Sequence, residues 1–257
     1  MSSRPVIGII ACNRTVGVEQ AQAVINRYVV AALEHADVSG LLVPALPTLV
    51  DARDIAGRLD ALLLTGSPSN VAPRRYGDNS QGDGPFDHDR DEMAMRLAEE
   101  MLSRQRAVFG ICRGFQELNV LLGGTLRRDV SASTADLPHH APAGVSLDAM
   151  FAHHHAVTLE PGGVLSRLYG EDRIEVNSVH FQGISKLAPQ ATVEARAPDG
   201  LVEAFSARID KAPVMAVQWH PEWQPKSDLR SRMWFEMFGR AARGLPLINE
   251  EERHDVA

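Results

Sequence analysis

Ala107-Val108-Phe109-Gly110-Ile111-Cys112-Arg113-Gly114-Phe115-Gln116 sets a cysteine between glycines at the end of an apolar run. Ala107 to Ile111 reads as a buried strand, and Phe115 to Leu122 as the helix that follows it. Glycines on either side leave room for a sharp strand-to-helix turn with the central side chain at its tip, the form of a nucleophile elbow. The first amides and positive dipole end of the helix face Cys112, which favours thiolate over thiol. Taken alone, the pattern also fits a small buried residue ahead of a helix.

The segments before the elbow alternate in kind. Val6 to Ala11, Leu41 to Pro44 and Ala61 to Thr65 read as strands, with a helix around Ala21 to Glu34 and a short one after Asp51. Asp87 caps a helix that runs through Arg104, with Met93, Leu97 and Met101 at helical spacing. This β-α-β succession predicts an α/β fold with a mostly parallel central sheet flanked by helices. Beyond the elbow, short strands are expected at Ala156 to Leu159, Arg173 to Val176, Thr192 to Arg196, Leu201 to Ser206 and Val214 to Gln218. Turn signals between them imply an additional small antiparallel sheet. A last amphipathic helix, about Ser227 to Arg243, turns Leu229, Met233, Trp234, Met237 and Phe238 toward the core. We expect one domain over residues 1–248 and a tail over 249–257.

The 257 residues carry a net charge of −7 and are 44% hydrophobic and 23% charged, ordinary for a globular domain. Arginines are scattered, so no nucleic-acid partner is indicated. The N-terminal residues lead straight into the first strand, without a signal-type or membrane-spanning apolar stretch, and a cytoplasmic location is expected. Two cysteines, Cys12 and Cys112, make no disulfide framework and suit a reducing compartment; Cys12 reads as a small buried residue.

Val214 to Trp219 leads into His220-Pro221-Glu222. Pro221 biases His220 toward extended backbone, and positions i and i+2 of an extended segment share a face, so Glu222 can orient His220 as a base for Cys112. By itself His-Pro-Glu also suits a surface turn; two such features at strand C-termini of one α/β sheet favour a shared site. Attack by Cys112 on an amide needs two oxyanion donors. The backbone N–H of Arg113 is one, and Gly66, heading the long polar loop from Gly66 to Gly77, is the candidate for the other, or else an ordinary turn glycine.

Four stretches in order, Thr65 to Asn70, Gly110 to Gln116, Val176 to Gln182 and Gln218 to Trp223, resemble the class I glutamine amidotransferase superfamily. With Glu194 to Ala204 they are most similar to its free-standing, peptidase C26-like branch, the γ-glutamyl-γ-aminobutyrate hydrolases of putrescine breakdown. The resemblance implies a flavodoxin-like glutaminase fold, a Cys112-His220-Glu222 triad and a small-molecule γ-glutamyl substrate. It further implies substrate contacts from Gln116, Asn177, Ser178 and His180, with Phe181 bearing on what fits the pocket; hydrogen bonding that holds the elbow is the alternative role for Gln116 and Asn177. The chemistry requires no cofactor. If the leaving amine is γ-aminobutyrate (GABA), its distal carboxylate needs a cation, for which Arg74 or Arg75 is the candidate.

Other functions remain in view: a glutaminase subunit passing ammonia to a synthetase, hydrolysis of another γ-glutamyl amide, and a non-catalytic binding module. No metal site is expected from His139, His140, His153, His154 and His155, because adjacent residues point to opposite faces and no carboxylate stands at ligand spacing. Oligomeric state stays open; the last helix and the Arg127 to Met150 connection are the surfaces available to a homodimer.

Overall fold

The computed structural model describes residues 3–82, 84–131 and 137–249. The elements in chain order are β1 (Val6–Ile10), β2 (Cys12–Val16), β3 (Glu19–Ala23), α1 (Asn26–His35), β4 (Ser39–Val43), α2 (Ala52–Ala56), β5 (Ala61–Leu64), α3 (His88–Ser103), β6 (Ala107–Ile111) and α4 (Arg113–Leu121). They continue with β7 (Thr125–Arg127), α5 (Leu147–Phe151), β8 (His154–Leu159), α6 (Val164–Tyr169), β9 (Arg173–Asn177), β10 (Gly183–Lys186), β11 (Ala191–Arg196), β12 (Val202–Ile209), β13 (Ala212–Val217) and α7 (Leu229–Ala242).

Among the described residues, nine strands make one sheet in the order β4-β1-β5-β6-β13-β12-β11-β8-β9. The half from β4 to β13 pairs in parallel. From β13 outward every pairing is antiparallel. The antiparallel strands therefore extend the central sheet, and the small antiparallel sheets are the pairs β7/β10 and β2/β3.

Every residue of β5 and β6 is buried, as strands covered on both faces must be. One face packs Ile9, Leu63, Phe109 and Met215 against α1 and α7. The other packs Leu62, Leu64, Val108 and Phe205 against α2, α3 and α4. Phe109 meets Trp234 edge to face at 5.2 Å, a geometry that aromatic quadrupoles favour. α7 approaches α1 at Gly239, where a Cβ would lie 2.0 Å from the Ala36 carbonyl oxygen.

Two local readings are corrected. The segment expected as a helix around Ala21 to Glu34 begins as β3, which pairs with β2, and the helix starts only at Asn26. Alternating Ala and Gln suit a helix in isolation, but long-range bonds override that preference. Asn13 N–H and Nδ2 both donate to the Asp87 carboxylate at 2.8 Å. Gln22 bridges Asn13 Oδ1 and Ala45 N–H. On α7, Trp234, Met237 and Phe238 are buried as expected, whereas Leu229 in the first turn is exposed. Of the tail expected over 249–257, residues 250–257 lie outside the described residues. No described helix is long and apolar enough to cross a membrane.

Candidate active site

Cys112 occupies the single position between β6 and α4, with φ 52° and ψ −101°. Residues with a Cβ seldom adopt positive φ, and such strain persists only where packing over-determines it. Here it does. A Cβ on Gly110 would lie 2.7 Å from the Gly114 carbonyl, and one on Gly114 would lie 2.1 Å from the Leu64 carbonyl oxygen. The elbow is thus wedged against β5, while Cys112 N–H donates to the Val217 carbonyl at the end of β13. Both flanking glycines are sterically required.

β13 delivers His220 and Glu222 to the same end of the sheet. His220 Nδ1 donates to Glu222 Oε1 at 2.8 Å. That bond fixes the tautomer and leaves Nε2, buried and without a hydrogen-bond partner among the described residues, available to the Cys112 thiol that acts on the ring. Burial opposes charging the imidazole, but the Glu222 carboxylate and the Cys112 sulfur outweigh it and push the His220 pKa up to about 10. Burial likewise opposes charge on Glu222, and the neighbouring His220 and Arg27 overcome it, holding its pKa below the usual range. Arg27 Nε donates to Glu222 Oε1 at 3.0 Å, and its guanidinium lies 4.8 Å from the Phe151 ring centroid. Phe151 stacks on Trp223 and meets the His220 ring edge-on at 5.1 Å.

These groups open onto a cavity of about 400 Å³. Cys112, Gln116 and His220 border it from the sheet side, Ser67 to Asn70 from the loop after β5, and Val179 to Gln182 from the connection between β9 and β10. Ile25, Leu147, Met150 and Phe181 form a partly exposed apolar mouth.

Gly66 sits where a side chain cannot: its Cβ would fall 2.2 Å from the Tyr28 hydroxyl and 3.2 Å from His220 Cε1. The Arg113 side chain pins the same loop, donating from Nε to the Ser69 carbonyl at 3.0 Å. Its charge is held by Asp91 at 2.6 Å and by Glu117. Glu117 also takes Arg90 at 3.2 Å, so two buried cations face two buried anions beneath the elbow. Removing one member would leave a buried charge uncompensated, costing about 3–5 kcal/mol. Cys12 is buried as expected, and its sulfur accepts from Arg90 Nη1 at 2.8 Å.

The other expected contacts divide. Gln116 Nε2 donates to the Gln182 carbonyl at 2.8 Å and to Gln218 Oε1 at 3.1 Å, holding the elbow to its neighbours. Asn177 brackets the His220 main chain, accepting from its N–H at 2.7 Å and donating to its carbonyl at 3.1 Å. Ser178 is fully buried and donates to the His139 carbonyl. His180 borders the cavity, but its Nδ1 is held by the Gln182 carbonyl and its Nε2 faces Glu203. The arginine expectation is corrected: Arg74 is exposed, Arg75 pairs with Glu92 at 2.6 Å, and neither borders the cavity. The short helical turn Pro73–Tyr76 carries both away from the site.

Sequence reasoning missed Arg27, Tyr28, Phe151 and the Arg90–Glu117 pair. Tyr28 is buried, with its hydroxyl 3.3 Å from His220 Nδ1. The Arg113–Glu117 spacing of four residues on the elbow helix was the available signal; nothing local marks the others.

The peptidase C26 family model matches residues 5–222. That span begins just before β1 and ends on Glu222. The chain belongs to the peptidase C26 family. Its relatives include the γ-glutamyl-γ-aminobutyrate hydrolase of Escherichia coli strain K12, 39% identical over an aligned 241 residues, with 92% of each chain covered. A putative glutamine amidotransferase-like protein of Lactococcus lactis is 33% identical, with 70% of this chain and 73% of that one covered. In solved structures, this member of the family is similar in fold to a putative GMP synthase subunit of Thermoplasma acidophilum, with TM-score 0.64 and 15% identity over 95% of this chain and 96% of that one. It is equally similar to the glutaminase domain of a Trypanosoma brucei CTPS, with TM-score 0.64 and 14% identity over the same shares.

Proposed function

We propose that this chain is a cysteine-dependent hydrolase that cleaves the γ-glutamyl amide bond of γ-glutamyl-GABA to glutamate and GABA. The observation that carries the reading is the strained Cys112 elbow opening onto the same cavity as the buried His220–Glu222 pair. The substrate assignment rests on the hydrolases to which the chain is similar over 92% of its length.

In this mechanism the Cys112 thiolate attacks the γ-carbonyl carbon while His220 carries the thiol proton. The backbone N–H groups of Gly66 and Arg113 receive the oxyanion. Collapse of the tetrahedral intermediate breaks the C–N bond, and His220 hands its proton to the departing amine, leaving a γ-glutamyl thioester. Water deprotonated by His220 then attacks the thioester, releasing glutamate and returning the proton to the thiol. Glu222 and Arg27 keep His220 oriented throughout, and Asn177 fixes its backbone. The apolar mouth suits the methylene chain of the leaving amine. Such a reaction would place the protein in putrescine breakdown.

The second reading is a glutaminase that hands ammonia to a synthetase; the chain shares its fold with the glutaminase domain of a CTPS and with a putative GMP synthase subunit. Glutamate release from γ-glutamyl-GABA and from glutamine, measured side by side for wild type and Cys112→Ala, tests both. Strong preference for γ-glutamyl-GABA, lost in the variant, is the expected result. Activity on glutamine alone would transfer the assignment to the second reading, and undiminished activity in Cys112→Ala would remove the nucleophile.

A further inference from the structure

Four side chains that the reaction does not require converge behind the 177–182 segment. The ligand atoms of His139, His155, His180 and Glu203 all lie within 4.8 Å of one another. Glu203 Oε1 stands 3.4 Å from His139 Nδ1, 3.8 Å from His155 Nε2 and 3.5 Å from His180 Nε2. His139 and Glu203 are 0% exposed, His180 3% and His155 9%.

The opposite nitrogen of each ring faces a fixed acceptor. His139 Nε2 meets the Asp199 carboxylate at 2.8 Å, His155 Nδ1 the Ala156 carbonyl at 3.1 Å, and His180 Nδ1 the Gln182 carbonyl at 3.0 Å. Those acceptors place the ring proton on the outward nitrogen, so each nitrogen facing Glu203 presents a lone pair. Three lone pairs and a carboxylate then meet with no donor among them. Among the described residues, the three inward nitrogens and both Glu203 oxygens have no hydrogen-bond partner. A buried group of unsatisfied acceptors is costly, and a cation at its centre turns each member into a ligand.

We propose that His139 Nδ1, His155 Nε2, His180 Nε2 and the Glu203 carboxylate bind one divalent metal ion of the zinc class. Bonds of about 2.0–2.1 Å in a tetrahedron put ligand atoms about 3.3–3.4 Å apart, close to the observed carboxylate-to-imidazole separations. Imidazole nitrogens with one carboxylate suit zinc better than magnesium or calcium. The outward bonds to Asp199 and to two carbonyls are the supporting contacts that metal-bound histidines make. With four protein ligands the site is closed and structural. It fastens the 177–182 connection, in which Asn177 holds His220 and the Gln182 carbonyl holds Gln116. Sequence spacing does not reveal this cluster, because its members come from separate segments. Alternation along β8 does send His154 outward and His155 inward, and the carboxylate arrives from β12.

Metal quantification on tag-free protein, purified without added metal or chelator, is expected to give about one zinc per chain. Chelation should lower the Tm and added Zn²⁺ restore it. Cys112→Ala, which removes the competing thiol, should keep the zinc, His155→Gln should lose it, and Asp199→Asn should weaken binding about 10–100-fold. Wild type that purifies metal-free and whose Tm ignores Zn²⁺ would overturn the proposal and leave a buried histidine–carboxylate ion pair. If His155→Gln fails to fold, the zinc response of wild-type Tm still decides.

Discussion

Proton affinity at His220 follows from a few neighbours. Its pKa, raised to about 10 against an ordinary 6.5, makes it a tighter proton binder in the folded chain than in the unfolded one. Below about pH 6.5 both states are protonated and the whole contribution to stability is present; it is lost as pH rises through about 10. Urea melts of wild type and His220→Gln should therefore converge between those pH values, and a difference independent of pH would contradict the assignment. Glu222→Gln removes the carboxylate that sets the tautomer, and kcat should fall about 10²–10⁴-fold. Asn177→Ala frees the His220 main chain without touching its ring, so kcat should fall while KM for γ-glutamyl-GABA changes little. A rise in KM with unchanged kcat would instead make Asn177 a substrate contact.

Among elements, two junctions carry specific risk. Gly239→Ala drives a methyl group into the Ala36 carbonyl where α7 meets α1. Overpacking of this kind costs about 1–3 kcal/mol, readable as a lowered urea midpoint with the m-value kept. Asp87 both caps α3, accepting from Arg90 N–H at 3.1 Å, and ties down Asn13 on β2. Asp87→Ala should cost about 0.5–2 kcal/mol from the cap alone, and an unchanged midpoint would refute the double role. Most elements were legible beforehand: Asp87 and Arg104 bound α3 as read, and Ala107 to Ile111 is β6. Continuous apolar strands and caps are local signals. The β2/β3 hairpin was not legible, because its residues are polar and its pairing is stabilised by Asp87, far along the chain.

Across the whole molecule, the site could be read where chemistry coincides with strand ends. Cys112 and the His220–Glu222 pair stand at the C-terminal ends of β6 and β13, which are parallel neighbours, so sheet topology alone brings them together. Arg27, Tyr28 and Phe151 reach the same place from α1 and α5, and the histidine cluster gathers from two connections, β8 and β12. Nothing in the spacing of those residues announces the convergence, since each position is decided by tertiary packing. Arg74 and Arg75 erred in the opposite sense: their loop borders the cavity, but the turn at Pro73 carries them elsewhere. The central claim is covalent catalysis at Cys112, and mass spectrometry of enzyme quenched during turnover of γ-glutamyl-GABA tests it most directly. The prediction is an adduct of about 129 Da, one γ-glutamyl group, on the peptide containing Cys112 and absent from Cys112→Ala. Turnover that persists in Cys112→Ala, with no adduct on wild type, would contradict it.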